Sequence, residues 1–221
     1  MEKKLWKACL LGSVLILVCS SVCGALEFGS KVMKDDVDIN NHLTAIPAYK
    51  LMYWDVNSNA AYDRDDVVYL VLDLNPVVDA NDFRLSPFGP YRSGTQVKSG
   101  DIDSGRTLSP SFGTIPGFVF ADLDGIPGYN LEDSVYLIID STKSTTSIND
   151  IRLTDVAGLA AGTKVLDSHR DLGDLVKPLP CYISFYNTNG NTNALPDDGD
   201  LLYLDTDLNG YVSVNDVRIS A

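Results

Sequence analysis

Three stretches of this chain are variants of one pattern, and a chain that repeats a unit of this length builds its core by packing copies of one small motif. The segments Val68 to Ser86 and Leu202 to Ser220 align without a gap at an offset of 134 residues. Both carry a Tyr-Leu step (Tyr69, Tyr203), an Asp (Asp73, Asp207), an Asn two residues on (Asn75, Asn209) and an Asn-Asp-x-Arg close, Asn81 to Arg84 and Asn215 to Arg218. A middle copy matches at an offset of 67 over Val135 to Asp140 and of 68 over Asn149 to Thr154, so one insertion separates these pieces. A Gly-x-x-Val step sets the phase: Gly29 to Val32, Gly94 to Val97 and Gly162 to Val165, each followed six residues later by Asp38, Asp103 or Asp171. Counted from that glycine to the Ser or Thr after Asn-Asp-x-Arg, the modules run 29–86, 94–154 and 162–220.

Residues 1–24 read as a secretory signal peptide, with Lys3, Lys4 and Lys7 ahead of the apolar run Leu10 to Val18 and small residues after it. An uncleaved N-terminal anchor is the alternative, and no later segment has the length of a membrane span. Removing the leader leaves 14 basic against 29 acidic side chains, a net charge of −15. Such a charge is repelled by nucleic acid and anionic membranes and attracts cations. Cys9, Cys19 and Cys23 belong to the leader, so the mature chain has Cys181 alone. Cys181 is read as a small buried residue or as the donor of a disulfide to another chain. A secreted chain without an internal disulfide needs another source of rigidity, and bound metal is one.

Within a module the apolar runs are short. Pro47 to Trp54, Pro116 to Ala121 and Pro180 to Tyr186 predict one strand; Val67 to Leu72, Ser134 to Ile139 and Leu201 to Leu204 predict a second. Single helical turns are expected near Asn81, Asn149 and Asn215, where Ser, Asn and Asp can cap. The expected fold is therefore a β-rich α+β arrangement of three tandem modules of about 60 residues with at most short helices, a size at which a core alone is marginal.

A calcium loop supplies oxygens from positions 1, 3, 5, a carbonyl at 7, a water-bearing residue at 9 and a carboxylate at 12. Asp205, Asp207, Asn209, Tyr211 through its carbonyl, Ser213 and Asp216 fit that register, with Gly210 for the sharp turn. This loop resembles an EF-hand-type loop of the dockerin variety, in which Asp replaces the closing Glu. The resemblance implies that Asp205, Asp207, Asn209 and Asp216 hold calcium, and that a cohesin-like receptor is a partner. In the other copies Val71 and Ile138 stand at position 1 and Pro76 replaces the glycine, but Asp73, Asp82, Asp140 and Asp150 persist.

Each module also has an earlier loop. In the first, Asp55, Asn57, Asn59, Asp63 and Asp66 take positions 1, 3, 5, 9 and 12. The ungapped equivalents are Asp122, Asp124, Ile126, Asn130 and Asp133, then Asn189, Asn191, Asn193, Asp197 and Asp200. Ligands from the two loops of a module are expected to converge on one ion. Asp, Asn and Gly are equally the residues of tight turns, so turn and ligand remain alternatives at each loop.

The remaining signals are weaker. Arg84, Arg152 and Arg218 are expected to pair with a carboxylate and fix the turn. Tyr53, Trp54, Tyr62 and Tyr129 are read as packing residues, with a sugar-binding platform as the alternative. His42 and His169 sit at unrelated repeat positions, and no nucleophile elbow, phosphate loop or zinc spacing occurs. The expected function is a secreted, non-enzymatic calcium-binding repeat protein of the cell surface or extracellular space, acting in attachment, scaffolding or self-assembly with a receptor or envelope component. The alternatives are a dockerin-type docking module and a carbohydrate-active or sugar-binding protein.

Overall fold

A computed structural model describes residues 26–109, 112, 117–139 and 144–221. The leader and Asp140 lie outside the described residues. Among the described residues eleven strands occur: β1 (Thr44–Ala45), β2 (Lys50–Trp54), β3 (Val67–Val71), β4 (Phe83–Arg84), β5 (Gly117–Ala121), β6 (Ser134–Ile138), β7 (Ile151–Arg152), β8 (Val176–Pro178), β9 (Tyr182–Tyr186), β10 (Leu201–Asp205) and β11 (Val217–Arg218). They form three antiparallel sheets, β2-β3-β4, β8-β5-β6-β7 and β1-β9-β10-β11.

The α+β expectation is overturned: the described residues are all-β. The predicted helical turns are tight turns instead. Asn149 and Asn215 hold φ of 74° and 83°, and a left-handed residue cannot propagate a right-handed helix. No helix among the described residues is long and apolar enough to cross a membrane.

The central strand of each sheet is buried on both faces, which is why it reads as a short continuous apolar run. In β3, Val68 and Leu70, followed by Leu72, point to one core, while Val67, Tyr69 and Val71 pack with Met52, Val78, Val97 and Leu108 in another. The first core is common to the molecule, because Val135, Leu137 and Ile139 enter it from the second sheet and Leu202 and Leu204 from the third. The alternate residues of β6 and β10 line small outer cores of their own. One shared centre and three satellites bury more apolar surface than three separate 60-residue modules would.

The three units interlock in a ring. Gly94 N–H donates to the Arg84 carbonyl (2.6 Å) and Val97 N–H to the Asp82 carbonyl (2.8 Å), so the start of the second module completes the first sheet. Gly162 and Val165 repeat these bonds on Arg152 and Asp150. Gly29 and Val32 repeat them on Arg218 and Asp216, and the N-terminal segment thereby closes the third unit. The outer strand follows the same rule: Ser109 bridges to β2, β8 pairs with β5, and β1 pairs with β9. Each unit is thus finished by the following module, and the last by the first.

Side chains of the repeat lock this arrangement. The hydroxyls of Ser86, Thr154 and Ser220 accept the N–H of Val68, Val135 and Leu202 at 2.9, 2.9 and 3.0 Å. The hydroxyls of Tyr69, Tyr136 and Tyr203 donate to Asp103, Asp171 and Asp38. At Gly94, φ is +77° and a Cβ would stand 2.6 Å from the Phe28 ring and 2.8 Å from Ala221 N, so the step into each neighbouring unit excludes a side chain.

Candidate metal centres

Every unit has two loops closed by a buried Asp, and the closing carboxylate organises each loop before any ligand is considered. Asp66, Asp133, Asp200, Asp82, Asp150 and Asp216 are all at most 4% exposed. One oxygen of Asp216 accepts the Thr206 N–H (2.8 Å) and the other the Ser213 N–H (2.8 Å). Asp66 does the same with Val56 and Asp63, Asp133 with Leu123 and Asn130, Asp150 with Ile139 and Ser147, and Asp200 with Thr188 and Asp197. This is turn chemistry, and it fixes the rest of each loop around a carboxylate.

Among the described residues, three loops gather acids. Carboxylate oxygens lie within 4.8 Å of one another in Asp73–Asp79–Asp82, in Asp122–Asp124–Asp133 and in Asp205–Asp207–Asp216. In the last, Asn209 Nδ2 donates to Asp207 (2.8 Å), and the Ser213 hydroxyl donates to Asp207 (2.9 Å) and lies 3.1 Å from Asp216. Tyr211 is half exposed, its ring edge-on to His42 at 5.4 Å. Gly210 holds φ of 76°, which Pro76 cannot adopt in the first unit, so that loop assembles its acids differently.

The two Asn-rich early loops are centred on position 9. Asn57 and Asn59 donate amide hydrogens to Asp63 at 2.8 and 2.6 Å. Asn189, Asn191 and Asn193 likewise surround Asp197 at 2.7, 2.5 and 2.8 Å. In the third unit this loop is two residues longer, and Asn187 takes the place of Asp55 and Asp122: Gly190 N–H donates to Asn187 as Gly125 N–H does to Asp122, both at 2.7 Å. The signal in the sequence is a strand offset of 65 between Gly117–Ala121 and Tyr182–Tyr186, against 67 for the strands that follow.

Lysines separate the loops electrostatically. Lys164 reaches from the second unit to the carbonyls of Asp63 (2.8 Å), Arg64 (3.2 Å) and Asp66 (2.5 Å) in the first. Lys31 reaches from the third unit to the carbonyls of Asn130, Leu131 and Asp133 in the second. Burial lowers both ammonium groups to about 8, against the pull of nearby acids. Lys177 donates to Asp122 at 2.7 Å, and that contact, with Gly125 N–H, holds Asp122 below the usual carboxylate range. Among the described residues no lysine or arginine pairs with Asp73, Asp79 and Asp82, or with Asp205, Asp207 and Asp216. Burial, reinforced by neighbouring acids, raises Asp82 to about 7 and Asp216 to about 6, and raises Asp205.

The aromatic candidates are committed to packing. Tyr53 is buried against Tyr62 and Phe112, and Trp54 lies between Phe88 and Arg106. Tyr62 and Tyr129 lie under Lys164 and Lys31 at 4.6 and 5.6 Å. Comparison with known proteins finds no family model, no curated protein and no solved structure that matches the chain.

Proposed function

We propose that this protein is a secreted, non-enzymatic calcium-binding scaffold of the cell surface or extracellular space, in which the ion stiffens a closed ring of three β units. The observation that carries the reading is the Asp205–Asp207–Asp216 cluster, whose oxygens lie within 4.8 Å of one another with no basic side chain among the described residues to neutralise them. Hard oxygen donors of high charge at these spacings suit calcium, and extracellular millimolar calcium fills sites of modest affinity. The lead to a scaffold rather than a docking module is the absence of helices from the described residues, since the dockerin docking face is helical. The sugar-platform alternative loses its aromatics to packing. Calcium titration by calorimetry on the mature chain, after chelation, tests the reading: saturable binding below 10 mM and a higher melting temperature are expected, and neither would be seen if the loops are turns only.

A further inference from the structure

The third residue of each Gly-x-x-Val step has the same backbone place in the ring: Lys31 bridges to Val217, Gln96 to Phe83 and Lys164 to Ile151. From that place two of the three reach into a neighbouring unit. The Lys164 ammonium sits on the carbonyls of Asp63, Arg64 and Asp66, and the Lys31 ammonium on those of Asn130, Leu131 and Asp133. These are positions 9, 10 and 12 of the early loop. The order around the ring sets Gln96 against the same positions of the third unit, Asp197, Asp198 and Asp200. Two contacts bring these segments together: Ala221 N–H donates to the Gly94 carbonyl at 2.9 Å, and Lys98 Nζ lies 3.4 Å from the Asp198 carboxylate.

The receiving turn is alike in all three loops. The N–H of position 12 donates to the carbonyl of position 9 at 3.4 Å in Asp66–Asp63, 3.3 Å in Asp133–Asn130 and 3.1 Å in Asp200–Asp197. The closing carboxylate accepts the N–H of position 9 in each. A turn that gathers three carbonyls around an ammonium in two junctions is therefore repeated opposite a glutamine in the third.

Glutamine cannot replace the ammonium. Its amide nitrogen ends one bond nearer the backbone and carries two coplanar hydrogens, against three radiating ones, and no charge. Among the described residues the half-buried Gln96 side chain makes no hydrogen bond. The acids of the junction remain: Asp198 meets Lys98 at the exposed surface, where an ion pair is weak, and Asp197 and Asp200 accept only amide and backbone donors and the Thr188 hydroxyl.

We propose that the carbonyls of Asp197, Asp198 and Asp200 bind a monovalent cation of potassium or ammonium size beside Gln96, in the place that a lysine ammonium takes at the two sister junctions. Carbonyl oxygens substitute for the hydration shell of such an ion, and a sphere satisfies three of them at once where a planar amide does not. The Gln96 side-chain oxygen is a fourth donor to the same ion. No calcium enters this argument, so the site is independent of the acidic loops.

The test is thermal melting of the full mature chain and of Gln96→Lys, with chelator present, in potassium chloride and in choline chloride at equal ionic strength. The wild type is expected to melt at least about 2 °C higher in potassium. Its carbonyl carbon NMR signals at Asp197, Asp198 and Asp200 should shift saturably with potassium. Gln96→Lys supplies the sister residue, and should melt in choline at or above the wild type in potassium and lose the difference between salts. Equal wild-type melts in the two salts, carbonyl signals that do not move, or a Gln96→Lys variant that keeps the wild-type difference would each overturn the site. Potassium stabilisation without calcium binding would overturn the calcium reading alone, and calcium binding with equal melts in the two salts would overturn this site alone.

Discussion

Asp103 accepts the guanidinium of Arg84 in a two-pronged pair, Nε at 2.7 Å and Nη2 at 2.6 Å, with both side chains fully buried. Arg152 and Asp171 repeat it at 2.7 and 2.6 Å. The third unit does not: Asp38 keeps its Tyr203 bond, while Arg218 Nε is buried without a hydrogen-bond partner among the described residues. The units whose closing segment follows directly in the chain are clamped, and the one closed by the N-terminal segment is not.

This asymmetry predicts unequal costs. Removing one partner of a buried ion pair destabilises by about 3–5 kcal/mol, whereas replacing an imperfectly paired buried charge by an apolar residue is often neutral or better. Asp103→Ala and Asp171→Ala should each cost about that much in urea melts, and Arg218→Met should cost little or raise the midpoint.

The closing segment and the Asp205–Asp216 loop share a seam. Val32, Asn40 and Leu43 N–H donate to the carbonyls of Asp216 (2.8 Å), Val212 (2.7 Å) and Gly210 (2.8 Å). An ion that orders the loop must therefore order the clasp. Amide exchange at Val32, Asn40 and Leu43 should slow at least tenfold in calcium, and Asp205→Asn should abolish the slowing while leaving Val97 and Val165 unchanged.

Without calcium, stability should fall as pH rises from about 4 to 7. Burial raises Asp82 to about 7 and Asp216 to about 6, so in this window the folded state holds more protons than the unfolded state, and each proton released costs stability. Below about pH 4 the opposite sign takes over, because Asp103 and Asp171 are held low by their arginines against the cost of burial. With calcium bound the ligands must be ionised, and stability should instead be lost on acidification through the same window. Melting curves at pH 4.5 and 7.5, with chelator and with calcium, should cross over.

At the junctions between units, Tyr62 donates its hydroxyl to the Asn149 carbonyl at 2.9 Å, while the equivalent Tyr129 hydroxyl is buried without a partner among the described residues. Tyr62→Phe should cost about 1 kcal/mol and Tyr129→Phe nothing, or a slight gain, by thermal melts. Lys164→Met should cost about 1–3 kcal/mol by leaving the carbonyls of Asp63, Arg64 and Asp66 without their donor.

Local chemistry was legible from residue order. Central strands such as Val67–Val71 announced themselves as apolar runs, and Asp205, Asp207 and Asp216 come together because a loop of that spacing turns positions 1, 3 and 12 inward. Asn149 and Asn215 were misleading because a capping residue and a left-handed turn residue have the same composition, and only φ separates them. The choice among six similar loops was not legible, since Lys31, Lys164 and Lys177 that satisfy the early loops reach them from 55 to 102 residues away.

By itself the sequence determined a threefold motif with acid-closed loops, because strand period and turn spacing are properties of neighbours along the chain. The tertiary structure alone decided that each module completes the unit before it and that the N-terminal segment closes the ring. It decided too which carboxylates remain without a basic partner, because long-range pairing and burial set the local charge balance.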